Sequence, residues 1–153
     1  MDNKPAKRVN IVSVKLVRES SVLYKERTIN SPSDSANLLE PFLKDEDREC
    51  FLVICLDTKN QPTAIHTVSI GTLNSSLVHP RETFKPAILS NSNSVILAHN
   101  HPSSGDPTPS HEDHEVTHRL VEAGKILGIE VLDHIIIGSN SRYISFKEKG
   151  ILN

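Results

Sequence analysis

The stretch SVILAHNHPSSGDPTPSHEDHEVTHRLVEAGKILGIEVLDHIIIG, residues 94–138, decides the fold of this chain. It begins with an apolar run, 94–98, that predicts a buried strand, and continues into a loop whose prolines and glycine exclude regular structure. Ser110 is a good N-cap for a helix that runs to about Leu127 and ends at Gly128, and the apolar segment after it predicts another strand. Strands and helices interleaved in this way indicate an α/β sandwich with helices packed on a mixed sheet.

Apolar runs and turn signals predict the elements on either side of this stretch. Strands are expected at four further segments: residues 11–17, 50–57, 63–71 and 142–146. The two middle segments flank the turn TKNQP and are expected to form a hairpin. Helices are expected at residues 31–43, with Ser33 or Asp34 as N-cap, and at residues 79–89, after the polar connection GTLNSSLV.

Length and composition indicate a soluble globular protein. Of the 153 residues, 37% are hydrophobic and 24% are charged, and the longest apolar run is far shorter than the roughly 20 residues that cross a bilayer. No apolar stretch follows the basic N-terminal residues to form a signal peptide, so a cytoplasmic location is expected. A net charge of −2 argues against a domain built to grip nucleic-acid phosphates. Cys50 and Cys55 are too few for a disulfide scaffold and are expected to be reduced thiols.

His99, His101 and Asp113 are the candidate metal ligands. In extended backbone the i, i+2 spacing puts both imidazoles on one side, and the proline-rich loop can fold Asp113 back towards them. Two imidazoles and a carboxylate leave one open position on a tetrahedral zinc ion, where water is activated near neutral pH. Two histidines alone more often cap backbone or face solvent, but Ser110 and Asp113 at short range favour the metal centre.

A rival motif overlaps this one, because His114-Glu115-Val116-Thr117-His118 matches the zincin pattern HExxH. A helical projection at about 100° per residue argues against it. In that projection His114 and His118 lie on the solvent face, whereas Asp113 borders the buried face. A solvated histidine stripe is therefore the preferred interpretation of these residues.

The segment HNHPSSGDPTPSHED resembles the JAMM signature, HxH followed by a loop and SxxD, in the form carried by RadC-like JAB proteins. The resemblance extends from about Arg48 to Leu152 and includes GTLNSSLVHPRETFKPAIL, VILAHNHP and VLDHIIIG. It implies an MPN fold, related to that of the cytidine deaminases, and a family that includes zinc peptidases and isopeptidases. On this basis residues 31–153 form the RadC-like JAB domain, and residues 1–30 are an N-terminal strand and extension of the same domain.

The resemblance also assigns roles. His99, His101 and Asp113 match the zinc ligands, Ser110 matches the serine that hydrogen-bonds the tetrahedral intermediate, and Glu49 matches the general base, with Glu46 as the alternative. The chain departs from the pattern in having eight residues rather than seven between His101 and Ser110, with Ser103-Ser104 as the inserted position. The helix-hairpin-helix segment that precedes this domain in longer RadC proteins is not expected here.

Three functions compete. The first is a zinc-dependent hydrolase that acts on a peptide or protein, the second a nucleic-acid-associated repair or plasmid-maintenance factor, and the third a non-catalytic interaction domain. The complete site argues against the third function, and the acidic charge balance argues against the second.

Among the other polar residues, His79 and Arg81 are expected to pack at a helix start or flank a substrate groove. Asp133 and His134 are expected to form a buried structural pair, and His66 has no expected role; substrate and oligomeric state stay open.

Overall fold

The computed structural model describes residues 3–71 and 78–152. Within these residues, three helices and five strands follow one another along the chain: α1 (Pro32–Leu43), β1 (Cys50–Leu56), β2 (Pro62–Ile70), α2 (Pro80–Leu89), β3 (Ser94–Asn100), α3 (His111–Leu127), β4 (Glu130–Ile137) and β5 (Tyr143–Ser145). The strands form one sheet in the order β2-β1-β3-β4-β5. The expected hairpin of β1 and β2 is present, and β3 and β4 pair in parallel while the other neighbours are antiparallel. The predicted α/β fold with a mixed sheet and flanking helices is confirmed.

The sheet is covered on both faces, which explains why β1 and β3 are buried along their whole length. Successive side chains of a strand point to opposite faces. In β3, Ile96 and Ala98 therefore pack with α1, whereas Val95 and Leu97 pack with α2 and α3. The same alternation directs the next odd-numbered side chain, that of His99, towards α3. Its backbone pairs with Phe51 at the start of β1.

A β-bulge in β4 matters for the site. Val95 pairs with Val131, but Ile96 pairs with Asp133, so the register shifts by one residue at this point. A bulge changes the face to which the following side chains point. As a result Val131 packs in the core on the α3 side, and His134, three residues later, also contacts α3 through Thr117.

Two sequence predictions near the N-terminus are wrong. Residues 3–23 form no helix or strand, and Ile11, Val12 and Val14 of the predicted strand 11–17 are exposed, because no described segment pairs with them. The N-cap of α1 is Ser31, not Ser33 or Asp34. The Ser31 side chain accepts a hydrogen bond from the Asp34 backbone N–H, whereas the Asp34 carboxylate accepts from the N–H of Asn30.

Other features agree with expectation. Cys50 and Cys55 are buried free thiols, and burial raises the pKa of both. The helix after the loop begins at His111 with Ser110 as N-cap and ends at Gly128, whose φ of 72° is the left-handed conformation that glycine adopts readily. The polar connection GTLNSSLV lies mostly outside the described residues. Within the described part of the chain, no helix has the length and apolar character needed to cross a membrane.

Candidate metal centre

The end of β3 and the first turn of α3 bring three candidate ligands together. His99 is the second-last residue of β3 and is fully buried, and His101 follows the strand directly. Asp113 lies in the first turn of α3 and is buried as well. These three side chains form a group that can bind a metal ion.

The candidate ligand atoms, one from each residue, lie within 4.8 Å of one another. Nε2 of His99 lies 3.1 Å from Nε2 of His101. Oδ1 of Asp113 lies 3.1 Å from Nε2 of His99, and Oδ2 lies 3.1 Å from Nε2 of His101. Nitrogen and oxygen ligands at zinc distances are roughly 3.3–3.4 Å apart in a tetrahedron. The two imidazole nitrogens have about this spacing, and each lies close to a different oxygen of Asp113, so the three side chains surround a point that a small divalent cation could occupy.

Hydrogen bonds behind the ligands orient them. Nδ1 of His101 lies 2.8 Å from the Asp106 backbone carbonyl, which can only accept, so His101 carries a proton on Nδ1 and presents Nε2 to the centre. Asp113 is fixed by a capping box: Ser110 N–H donates to Oδ2 at 2.8 Å, and Ser110 Oγ accepts from Asp113 N–H. Such outer contacts are typical of metal-binding histidines and carboxylates.

The electrostatics also favour a cation. Burial alone would raise the pKa of Asp113, but the adjacent imidazoles of His101 and His99 and the backbone N–H of Ser110 hold it far below its usual range. The hydrogen bond to Asp113 raises the pKa of His101 against the opposing effect of burial. The centre thus presents a permanent carboxylate and two ring nitrogens to one point, and a proton or a metal ion satisfies all three.

The loop between His101 and Ser110 accommodates its eight residues without displacing Asp113. Gly105 adopts a positive φ of 67°, and a Cβ atom there would lie 2.5 Å from Oγ of Ser139. The Gly105 carbonyl accepts from Ser139 N–H and from the Arg142 guanidinium, both at 2.8 Å. The loop is thereby tied to the segment after β4, and only glycine fits at this approach.

Glu49 and Ser110 lie with His101 around one open cleft of about 310 Å³, which is also lined by Ser103, Ser104, Asp106 and Thr108. Glu49 is half-buried directly before β1, and its backbone carbonyl accepts from Gly71 N–H at 2.8 Å. Glu46 is exposed and lines a smaller cavity, which shares His101 with the cleft but contains neither Glu49 nor Ser110. The structure therefore brings Glu49, not Glu46, to the cleft that contains Ser110.

Asn100, between the two histidine ligands, holds the backbone around Glu49. Its Oδ1 accepts from Cys50 N–H at 2.7 Å, and its Nδ2 donates to the Arg48 carbonyl at 3.0 Å. The sequence analysis did not assign this residue a role. Its position in the sequence was the available signal. Because side chains alternate between the two faces of β3, that of Asn100 points away from both histidines and is free to contact another segment.

The HExxH motif on α3 does not form a metal-binding group in the described part of the chain. His114 and His118 are exposed on α3, and among the described residues the three-residue metal group contains neither of them. The His114 ring lies beside Phe146, with ring centroids 5.6 Å apart. His111, on the same stripe, pairs with Glu115 at 3.0 Å.

The remaining polar candidates have separate positions. His79 is the N-cap of α2 and makes no side-chain cap bond, Arg81 is exposed on that helix, and His66 is exposed on β2.

Asp133 and His134 are both buried, but their side chains form hydrogen bonds with different partners. Asp133 accepts hydrogen bonds from Ser145 Oγ and the backbone N–H groups of His134 and Lys147, a structural role. His134 instead contacts the candidate ligand His99, a contact that sequence reasoning missed.

The chain combines a mixed sheet and flanking helices with an HxH strand end that faces an SxxD helix start, an arrangement consistent with an α/β domain of the JAB class. The family model described as RadC-like JAB domain matches residues 29–151. The chain belongs to this family. It is 63% identical over 124 residues to a UPF0758 protein of Desulfitobacterium hafniense, a match that covers 81% of this chain and 54% of the relative.

Two further relatives match over longer stretches. A UPF0758 protein of Methanosarcina barkeri is 50% identical over 150 residues, which is 96% of this chain and 65% of the relative. A UPF0758 protein of Rubrobacter xylanophilus is 51% identical over 144 residues, which is 93% of this chain and 62% of the relative. The chain thus spans between about half and two thirds of the length of these curated relatives.

Proposed function

We propose that this chain is a zinc-dependent hydrolase that cleaves a peptide or isopeptide bond. The observation that carries the proposal is the convergence of His99, His101 and Asp113, with 3.1 Å between the paired ligand atoms. A set of two imidazoles and one carboxylate suits zinc and leaves a coordination position open. When bound, zinc supplies Lewis-acid polarisation of a substrate carbonyl and activation of water near neutral pH.

The residues around the cleft supply the other parts of a hydrolytic site. Glu49 takes a proton from the attacking water and delivers it to the nitrogen that leaves as the amine. The carbonyl carbon gains the water oxygen as the C–N bond breaks, so the products are a carboxylate and an amine. Ser110 uses an oxygen lone pair in the capping box and keeps its hydroxyl hydrogen for donation to the developing oxyanion.

Metal content tests the centre. Tag-free protein purified with zinc should contain about one zinc per chain by mass spectrometry. The double variant His99→Ala/His101→Ala should lose it, because an isolated carboxylate does not retain the ion. The matched double variant His114→Ala/His118→Ala on the exposed face of α3 should keep it. Zinc that follows the second pair, or that is absent from the wild type, would contradict the proposed centre.

Hydrolysis is tested with fluorogenic peptides and with a substrate joined through a lysine ε-amide. Glu49→Gln should lower kcat by about 10²–10⁴-fold, because the amide cannot take a proton from water. Its zinc content should equal that of the wild type. Glu46→Gln, at the smaller cavity that does not contain Ser110, is the matched control and should leave kcat unchanged. A zinc-loaded wild type that cleaves neither class of substrate would favour the non-catalytic interaction domain.

We propose a peptide or protein in the cytoplasm as the partner, rather than nucleic acid. The net charge of −2 and the two buried free thiols support this choice. Fluorescence anisotropy with duplex and single-stranded DNA tests it. Tight binding that weakens steeply as salt is raised would contradict the proposed partner and favour a nucleic-acid-associated role.

A further inference from the structure

A chain of buried hydrogen bonds extends from His99 away from the metal centre. Nδ1 of His99 lies 2.7 Å from Nε2 of His134, and Nδ1 of His134 lies 2.5 Å from the Thr117 hydroxyl. The same hydroxyl lies 2.8 Å from the backbone carbonyl of Asp113. His134 is fully buried, and Thr117 is 4% exposed. This series of hydrogen bonds begins at the ring of one candidate ligand, His99, and ends on the backbone carbonyl of another, Asp113.

The chemistry of these groups fixes the direction of every hydrogen bond. A carbonyl only accepts, so the single Thr117 hydroxyl hydrogen is donated to Asp113. The Thr117 oxygen must then accept the Nδ1–H of His134. His134 is fully buried beside the rings of Phe51 and Phe146, an apolar setting that favours a neutral ring over a charged one. Because a neutral imidazole carries one N–H, Nε2 of His134 is an acceptor.

The last step reaches the metal centre. His134 Nε2 accepts the Nδ1–H of His99, and a His99 ring with its one hydrogen on Nδ1 has its lone pair on Nε2, the atom that points at His101 and Asp113. We infer that His134 and Thr117 are positioning residues that fix the tautomer and ring orientation in which His99 binds a metal. This inference rests on the metal centre of the proposed function. It gives β4 and the middle of α3 a part in metal affinity, although neither supplies a ligand.

A purely structural role for His134 makes different predictions. Its ring packs beside Phe146 and Phe51, with centroid distances of 4.7 and 5.6 Å. If packing were its role, replacements of equal size would behave alike. Gln and Met have side chains of the same length and both remove the ring, but only Gln has an oxygen that can accept from His99. Comparison of His134→Gln with His134→Met therefore isolates the hydrogen bond from the packing.

Nitrogen NMR of the wild-type protein tests the tautomers directly. In zinc-loaded, ¹⁵N-labelled protein, His134 should be neutral with its hydrogen on Nδ1. A through-hydrogen-bond ¹⁵N–¹⁵N coupling should join Nδ1–H of His99 to Nε2 of His134. The same experiment on metal-free protein at pH 8 should show His99 with its hydrogen already on Nδ1. A hydrogen on Nε2 of His134, or on Nε2 rather than Nδ1 of His99 in the metal-free protein, would overturn the inference.

Zinc affinity, measured by competition with a chromophoric chelator, provides the second test. His134→Met should weaken zinc binding by about 10–100-fold, the usual effect of losing an outer hydrogen-bond partner, whereas His134→Gln should stay within about threefold of the wild type. Thr117→Val should weaken binding and Thr117→Ser should restore it. The metal-free Tm of each pair shows whether the members fold equally. Equal zinc affinity for Gln and Met variants of equal Tm would contradict the positioning role.

The two proposals fail in distinguishable ways. If the zinc-loaded protein shows the expected tautomers and affinities but cleaves no amide, the hydrolase proposal fails and the positioning role stands. If the wild type hydrolyses amides while His99 lacks the hydrogen on Nδ1, the positioning role fails alone. If the wild type binds no zinc, the metal centre fails, and the metal-free NMR spectrum still decides the tautomer of His99.

Discussion

Asn100 shows how one side chain links the two halves of the candidate site. It lies between His99 and His101 in the sequence but points away from both. It bonds to the backbone on either side of Glu49. The amide combines an accepting oxygen with a donating NH2 group, and the N–H of Cys50 and the carbonyl of Arg48 require one of each. The candidate base is therefore placed by the same strand end that places the candidate ligands.

Removal of this amide should destabilise the protein. Asn100→Leu leaves the buried N–H of Cys50 without its acceptor and removes the amide donor to the Arg48 carbonyl, which should lower the free energy of unfolding by about 1–3 kcal/mol. Urea denaturation of the metal-free protein measures this change. Asn93→Leu, at an exposed position, is the control and should stay within about 0.5 kcal/mol of the wild type. An Asn100→Leu variant as stable as the wild type would show that the two bonds contribute little.

At the scale of the elements, hydrophobic patterning predicts β1, β3 and α3 because long buried runs and clear caps specify them. The helical projection also places Asp113 inward and His114 and His118 outward, as observed. It does not place His134. In a regular strand His134 and Val131 would face opposite sides, and only the bulge in β4 turns both towards α3. A bulge arises from the pairing of two distant strands, so the sequence of β4 alone cannot reveal it.

The contribution of the His101–Asp113 contact to thermal stability should depend on pH in opposite directions in the metal-free and the zinc-bound protein. The Asp113 hydrogen bond raises the pKa of His101. The protonated ring therefore stabilises the metal-free fold below its unfolded pKa of about 6.5, and this contribution is lost as pH rises through the higher folded value. Zinc instead competes with that proton. The zinc-induced increase in Tm should therefore grow between pH 6 and pH 8.5.

Thermal unfolding with and without zinc at a series of pH values measures this response. The His114→Ala/His118→Ala protein should show the same increase as the wild type, because those rings lie outside the ligand group. His101→Ala should remove most of the effect. A zinc-induced shift that is constant across this pH range would show that His101 does not give up a proton when the metal binds.

At the scale of the whole molecule, stability depends on two apolar layers that cover opposite faces of the sheet. The segment before α1 contributes to the α1 side only near its end. Ile29 is buried in that layer, and the partly buried Tyr24 packs against it and donates to the Thr28 carbonyl at 2.9 Å. Residues 3–23 have mostly exposed apolar side chains and no helix or strand. Alternation in the sequence predicts a strand there, but a strand also needs a partner edge.

Two deletions test whether residues 1–30 extend the same domain. Removal of residues 1–22 should change the free energy of unfolding by less than about 0.5 kcal/mol, because it removes exposed side chains. Removal of residues 1–30 also takes away Tyr24 and Ile29, and loss of the buried Ile29 side chain alone should cost about 2–5 kcal/mol. Urea denaturation compares both deletions with the full chain, and zinc affinity should be unchanged in the shorter deletion. A large loss of stability on removal of residues 1–22 would mean that the predicted strand 11–17 packs in solution. Equal stability of the two deletions would mean that the fold does not depend on Ile29.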